Sequence, residues 1–253
     1  MTKIAAIAKV TLQDALRQKL PVNLLLFALL IITASFVLSQ LTFGEQYRII
    51  ADLALSSAGV FGTLIAVFLG AGLVSGEIQR RTLYPILAKP VTRTEYVLGR
   101  YAGLLLMLTS NLLVMAITSF AVLGFYRGGF RFLVETPIVL AFVGLAAQLA
   151  IVGAVAMLFS SFTNTTLASM CTLALAVAGH LSREALPYWR TTLAGRGLAL
   201  LLPNLGALDY KVAVVYSDPV PAADAALTLG YAALYVAVVL AAASLIFSRR
   251  DLR

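Results

Sequence analysis

Covalent or metal chemistry in this 253-residue chain would have to be assembled from one histidine, His180, one cysteine, Cys171, and eleven carboxylates. A single histidine excludes a His-Glu-x-x-His zinc site, and a single cysteine excludes an intrachain disulfide or a cysteine-rich metal site. His180 and Cys171 share one apolar run, and a histidine near the end of such a run more often packs than ligates. No Gly-x-x-x-x-Gly-Lys-Ser/Thr loop is present to cradle a nucleotide, and no Gly-x-Ser-x-Gly elbow to expose a nucleophile. The polar groups inside apolar runs are hydroxyls and amides: Ser56, Ser57, Thr63, Ser110 and Asn111. With backbone carbonyls they could bind an ion or line a solute path, although in lipid such groups more often bond helix to helix. No acid or base falls securely at the middle of an apolar run, which argues against a self-sufficient ion-coupled carrier.

Charge concentrates instead between runs. The stretch Ser75 to Gly99 carries Glu77, Arg80, Arg81, Lys89, Arg93 and Glu95, with Pro85 and Pro90. It is too polar to lie in hydrocarbon and must connect two membrane segments at the surface. Thr92 and Glu95 have capping-box spacing, so a helix is expected to start there.

The elements that position these residues follow from composition. The chain is 61% hydrophobic and 12% charged, with a mean hydropathy of +0.95. Soluble domains carry about 25% charged residues, so the chain reads as an all-α integral membrane protein, a single transmembrane unit over 1–253. Runs of about 17–25 apolar residues match a hydrocarbon core of about 30 Å. Six candidate spans follow: Val22–Leu38, Leu53–Val74, a third that starts at the Thr92 cap with Arg100 still near the surface and ends at about Leu123, Pro137–Phe159, the short Thr166–Leu181, and Ala222–Phe247. Thr136 and Pro137 have the order of an N-cap and first helical residue, and Asn164 can cap the fifth run. Gly72 and Gly76 form a GxxxG pair, and Gly99 and Gly103 repeat that spacing.

Before the first run, residues 1–20 read as an interfacial helix. Its stripe is Ile4, Ala8, Leu12 and Leu16, flanked by Lys9, Gln13 and Arg17, with Lys19 at its end. The same residues lack the continuous apolar core of a cleaved signal, so the first run is expected to direct insertion. Before the last run, residues 182–221 are amphipathic and read as re-entrant or interfacial helices on the outer side.

The excess of positive charge, +8 overall, is explained by cytoplasmic lysines and arginines rather than by nucleic-acid binding. With the N-terminus inside, the inner segments hold Lys3, Lys9, Arg17, Lys19, Arg80, Arg81, Lys89, Arg93, Arg100 and the tail arginines Arg249, Arg250 and Arg253. The outer segments hold fewer, Arg48, Arg127, Arg131, Arg183, Arg190, Arg196 and Lys211, partly balanced by acids. Both termini are therefore expected in the cytoplasm, and Ser75–Gly99 becomes a cytoplasmic connection.

The stretch Gly72 to Gly103, GLVSGEIQRRTLYPILAKPVTRTEYVLGRYAG, resembles the membrane subunits of ABC-2 type (type V exporter-like) ABC transporters. The matching positions are Glu77, Arg81-Thr82, Leu83 to Leu87, Lys89-Pro90, Arg93 and Gly99-Arg100, with Arg81 standing where the family usually has glycine. The interfacial N-terminal helix, six spans and a Ser-Arg-Arg-Asp-Leu tail follow the same layout. The resemblance implies a non-catalytic permease subunit in a bacterial inner membrane, with no cofactor of its own. ATP and Mg would be held by separate ATPase subunits, and a second copy or a homologous permease would complete the pair. It further implies an ATPase-docking surface. That surface would comprise Glu77, Arg80, Arg81, Thr82, Tyr84, Pro85, Lys89, Pro90 and Arg93, a coupling helix within 75–95, with Lys9, Arg17 and Lys19 of the interfacial helix. The implied work is export of an amphipathic or hydrophobic substrate along spans 2 and 5. The alternatives are mechanical work on a periplasmic or lipid partner and, on a lesser footing, a stand-alone secondary carrier or membrane enzyme.

Overall fold

The computed structural model of the chain describes residues 3–40, 46–79, 92–189 and 202–249. Among them every regular element is helical. The order is α1 (Lys3–Leu16), α2 (Lys19–Ser39), α3 (Gln46–Gln79), α4 (Arg93–Arg127), the single turn α5 (Phe132–Glu135), α6 (Ile138–Phe162), α7 (Thr165–Trp189), a 3-10 turn at Gly206–Leu208, α8 (Lys211–Tyr216) and α9 (Ala222–Arg249). Helices satisfy their own backbone, which hydrocarbon requires. Six of them, α2, α3, α4, α6, α7 and α9, are long and apolar enough to cross a bilayer. The chain is an all-α, multi-pass membrane protein.

These six follow the six apolar runs in order and differ from them at the ends. α3 begins at Gln46 and takes in Arg48 and Asp52, expected in a polar loop; α4 runs on to Arg127 and α7 to Trp189. Hydropathy marks where lipid ends, whereas a helix continues until something breaks it. α3 has 34 residues and α4 has 35, so each is about 50 Å long at 1.5 Å per residue, against about 30 Å of hydrocarbon. Both therefore project beyond the bilayer. Gly128 stops α4: its φ of 67° lies in the left-handed region, and its N–H closes on the Gly124 carbonyl.

Three local expectations are corrected. Thr136 does not cap α6; its hydroxyl donates back to the Phe132 carbonyl at 2.7 Å, and Pro137 takes the N-cap position. Both the N–H and the hydroxyl of Thr136 turn back to the Phe132 carbonyl, so Thr136 closes the turn α5 instead of opening α6. The α6–α7 connection is shorter than Ser160–Thr165, because α6 continues through Ser160 and Ser161 to Phe162; Asn164 does cap α7, accepting from the Leu167 N–H at 2.9 Å. Finally, α1 stops at Leu16, and Lys19 opens α2 instead of closing α1.

α3 and α6 pack at the centre, with α2, α4, α7 and α9 around them. Side chains such as Leu113 and Ile117 of α4 and Leu227, Leu234 and Leu245 of α9 point outward, as a lipid-facing surface allows. The segment after residue 202 packs back into the bundle. Leu205, Leu208 and Val214 are fully buried, Gln148 Nε2 donates to the Leu205 carbonyl at 3.0 Å, and Asn204 N–H donates to the Tyr231 hydroxyl at 3.0 Å.

Candidate functional site

Tyr96, Gly99, Arg100 and Gly103 recur at helical spacing and share one face of α4. α1 lies on that face. A Cβ placed on Gly103 would stand 2.4 Å from Thr11 Cβ and 2.8 Å from the Ala8 carbonyl oxygen, and one on Gly99 2.7 Å from Ile7 Cβ. Only glycine admits α1 this closely. The packed face of α1 is consequently Ile7, Ala8, Thr11 and Ala15, while Leu16 turns out to be exposed. The expected stripe is thus rotated, because small residues fit against a glycine seam and Leu16 does not.

Arg100 stands at the centre of this contact. It is 4% exposed. Its guanidinium pairs with the Glu77 carboxylate at the end of α3 and donates from Nη1 to Thr11 Oγ1 at 3.1 Å. It also lies 3.9 Å from the Asp14 carboxylate and 5.5 Å from the Tyr96 ring centroid. The Tyr96 hydroxyl donates to the same Glu77 carboxylate. One cation thereby joins α1, α3 and α4. A buried charge is tolerated only when paired and hydrogen-bonded, so these three helix ends are held as one body.

The neighbouring ends are tied to it. The capping box is present: Glu95 N–H donates to Thr92 Oγ1 at 3.2 Å, and Thr92 N–H to Glu95 Oε2 at 2.8 Å. Lys3 Nζ lies 3.9 Å from Glu95. Arg93 Nη1 donates to the Phe247 and Ser248 carbonyls at 2.9 and 3.0 Å, at the C-terminal end of α9, where a cation complements the helix dipole. Tyr96 stacks on Phe247, with ring centroids 5.6 Å apart.

Two turns before Glu77, α6 reaches into α3. The Ser160 hydroxyl donates to the Ala71 carbonyl at 2.7 Å and accepts from the Val74 and Ser75 N–H groups at 3.1 and 3.0 Å. A side chain inserted into the helical ladder is a recognised cause of bending. Ser160→Ala leaves buried donors without that acceptor, which costs about 1–3 kcal/mol. The check is heat survival of the purified chain as a monodisperse species. Ser160→Ala is expected to fall clearly below wild type, while Ser110→Ala, whose exposed hydroxyl bonds only within its own helix at 2.8 Å, stays close to it.

The structure places the sequence-predicted residues unevenly. Glu77 faces inward to Tyr96 and Arg100, and Arg93 binds α9. Lys9, Arg17 and Lys19 are exposed. Arg80, Arg81, Thr82, Tyr84, Pro85, Lys89 and Pro90 lie outside the described residues. Ser56 and Thr63 line a cavity of about 370 Å³ between α3, α6, α7 and the segment 209–211, together with Gln148 and His180. At its mouth Lys211 Nζ lies 3.2 Å from Asp52 Oδ1 and 3.1 Å from Ser56 Oγ. Ser57 is buried and bonds the Ala54 carbonyl at 3.0 Å. Ser110 and Asn111 sit on α4 and do not line this cavity. Among the described residues no group of three or more His, Cys, Asp or Glu could hold a metal ion.

Tyr96 and Thr11 were not singled out by type or motif, and Arg100 entered only as part of the Gly99-Arg100 motif position, without a partner. The available signal was Arg100 itself: a cation seven residues inside α4, on the glycine face, needs an anion, and Glu77 is the acid nearest in the sequence at the end of α3.

Taken together, these features define a helical membrane protein in which the end of α3, the start of α4 and α1 are tied together by one buried ion-pair cluster. A family model described as ABC-2 family transporter protein matches residues 5–252. The chain belongs to that family. A search of curated proteins returns no match.

Proposed function

We propose that this chain is the permease subunit of an ATP-driven exporter, moved by a separate ATPase that docks at the end of the bundle carrying α1 and the 80–91 connection. Family membership supplies the class. The observation that carries the coupling role is the Glu77–Arg100 cluster. Residues 80–91 join the end of α3 to the start of α4, and both of those ends are fixed to each other and to α1. A push on the connection is therefore delivered to α3 and α4 as a rigid-body displacement. Arg80, Arg81 and Lys89 would orient the partner through charge complementarity, which governs docking more than raw affinity. ATP and Mg would be held by that partner, a second permease would complete the assembly, and both termini would be cytoplasmic in a bacterial inner membrane.

The test is affinity purification of the gently solubilised chain from its native membrane, with ATPase activity assayed in the eluate. Wild type is expected to bring down ATPase activity, and the charge reversal R80E/R81E to lose at least nine-tenths of it while the chain itself stays folded. Arg93 is left intact, because it also holds α9. An eluate without an ATPase, or one indifferent to the reversal, overturns the docking reading.

A further inference from the structure

A second cavity, of about 880 Å³, opens at the α1 end between the α1–α2 corner and the lower half of α3. One wall is apolar, built by Phe68, Leu69 and Leu73. On the same helix Gly72 and Gly76 face it, and a Cβ on either would meet nothing within 4 Å. The GxxxG pair therefore packs against nothing among the described residues. It leaves a smooth channel along α3.

The mouth has the opposite character. Arg17, Gln18 and Lys19 line it. Arg17 and Lys19 are exposed and make no side-chain hydrogen bond or ion pair among the described residues. Gln18 is the N-cap of α2, extended at φ −77° and ψ 133°, and its side chain does not cap. The helix thus presents the N–H groups of Lys19 and Leu20 uncapped, the third residue, Pro21, having none, and two cations flank them, an arrangement suited to an anion. Arg100 lines the groove further in, its guanidinium held by Glu77 and Thr11. The two carboxylates of the lining, Asp14 and Glu77, both attend Arg100, so the unneutralised charge at the mouth is positive.

We infer that this groove is a binding site for one anionic phospholipid, with the phosphate at the start of α2 between Arg17 and Lys19 and an acyl chain along the Gly72–Gly76 channel of α3. An apolar channel ending in a cationic mouth, at the level where α1 meets the spans, matches a lipid lying parallel to α3. A basic residue near a membrane surface favours anionic lipid by about fivefold. The site needs neither the ATPase nor residues 80–91.

The experiment uses the full chain in nanodiscs of equal parts phosphatidylglycerol and phosphatidylcholine. Lipid retained after ejection into the gas phase is counted by native mass spectrometry. Wild type is expected to retain one lipid, with phosphatidylglycerol preferred at least tenfold. R17Q/K19Q should reduce that preference at least fivefold while a lipid is still retained, and G72L/G76L, which fills the channel, should abolish retention. No headgroup preference in wild type, or retention unchanged in both variants, overturns the site. So does a G72L/G76L effect confined to a lower dimer fraction, which would assign the glycines to a second copy of the chain. Since no ATPase is present, failure here leaves the docking proposal standing, and failure of that proposal leaves this one standing.

Discussion

Arg100→Met is expected to be the most damaging single substitution in the chain. It removes one partner of a buried pair and leaves the Glu77 carboxylate facing the Tyr96 hydroxyl and an apolar methionine. Breaking a buried ion pair from one side costs about 3–5 kcal/mol, whereas replacing both members by neutral groups of similar shape is often nearly harmless. The double variant E77Q/R100M should therefore recover most of the heat survival that R100M loses, although it carries one more mutation. The measurement is the fraction of purified chain that remains monodisperse after a heating series, for wild type, both singles and the double. A double variant no better than R100M would show that Arg100 acts through Thr11 and Asp14 of α1 and not through Glu77.

Gly103→Ala is expected to release α1 from the bundle. The added methyl would stand 2.4 Å from Thr11 Cβ and 2.8 Å from a backbone oxygen of α1, and backbone cannot step aside as a flexible side chain can. Overpacking of this kind costs about 1–3 kcal/mol, and it falls on a single short helix held chiefly by this seam and by Arg100. The readout is local. A cysteine introduced at Ala8, 5% exposed in the structure, should label at least tenfold faster with a membrane-impermeant maleimide when Gly103 is alanine. The background for both chains should be C171S, because Cys171 is exposed. Gly72→Ala is the matched control: the same change in a helix, into open space, where exchanging glycine for alanine favours the helix by about 0.5–1 kcal/mol. It should leave labelling at Ala8 unchanged and heat survival equal or better. Equal labelling in the Gly103 and Gly72 variants would mean that the seam does not hold α1.

These two glycine pairs show where sequence and structure part. Both carry the same spacing, and nothing in the letters separates them. Gly99 and Gly103 meet a neighbouring helix, and Gly72 and Gly76 face an open groove, because α1 comes from residues about ninety positions upstream of its seat on α4 and only tertiary contact decides which pair it occupies. The six spans were legible because lipid enforces a simple rule: a run of apolar residues of the right length must be a helix. The capping box at Thr92 and the cap at Asn164 were legible because they are local, three residues wide. Both ends of α3 and the C-terminal end of α4 were not, since they leave the lipid and obey backbone continuity instead. The central cluster was half legible. Glu77 stood out through the family resemblance, but its partners Tyr96, Arg100 and Thr11 lie on two other helices, and a single sequence does not reveal pairing at that distance.

The seat of α1 also has a consequence for the order of events during synthesis. α1 leaves the ribosome before α4, and the face that receives it, Gly99 to Gly103, is made only after α2 and α3 have been synthesised. Until then Ile7, Ala8 and Ala15 have no protein to cover them, and the nearest apolar phase is the bilayer surface. α1 is therefore expected to rest on the membrane surface until α4 arrives with Arg100, the residue that meets both Glu77 and Thr11.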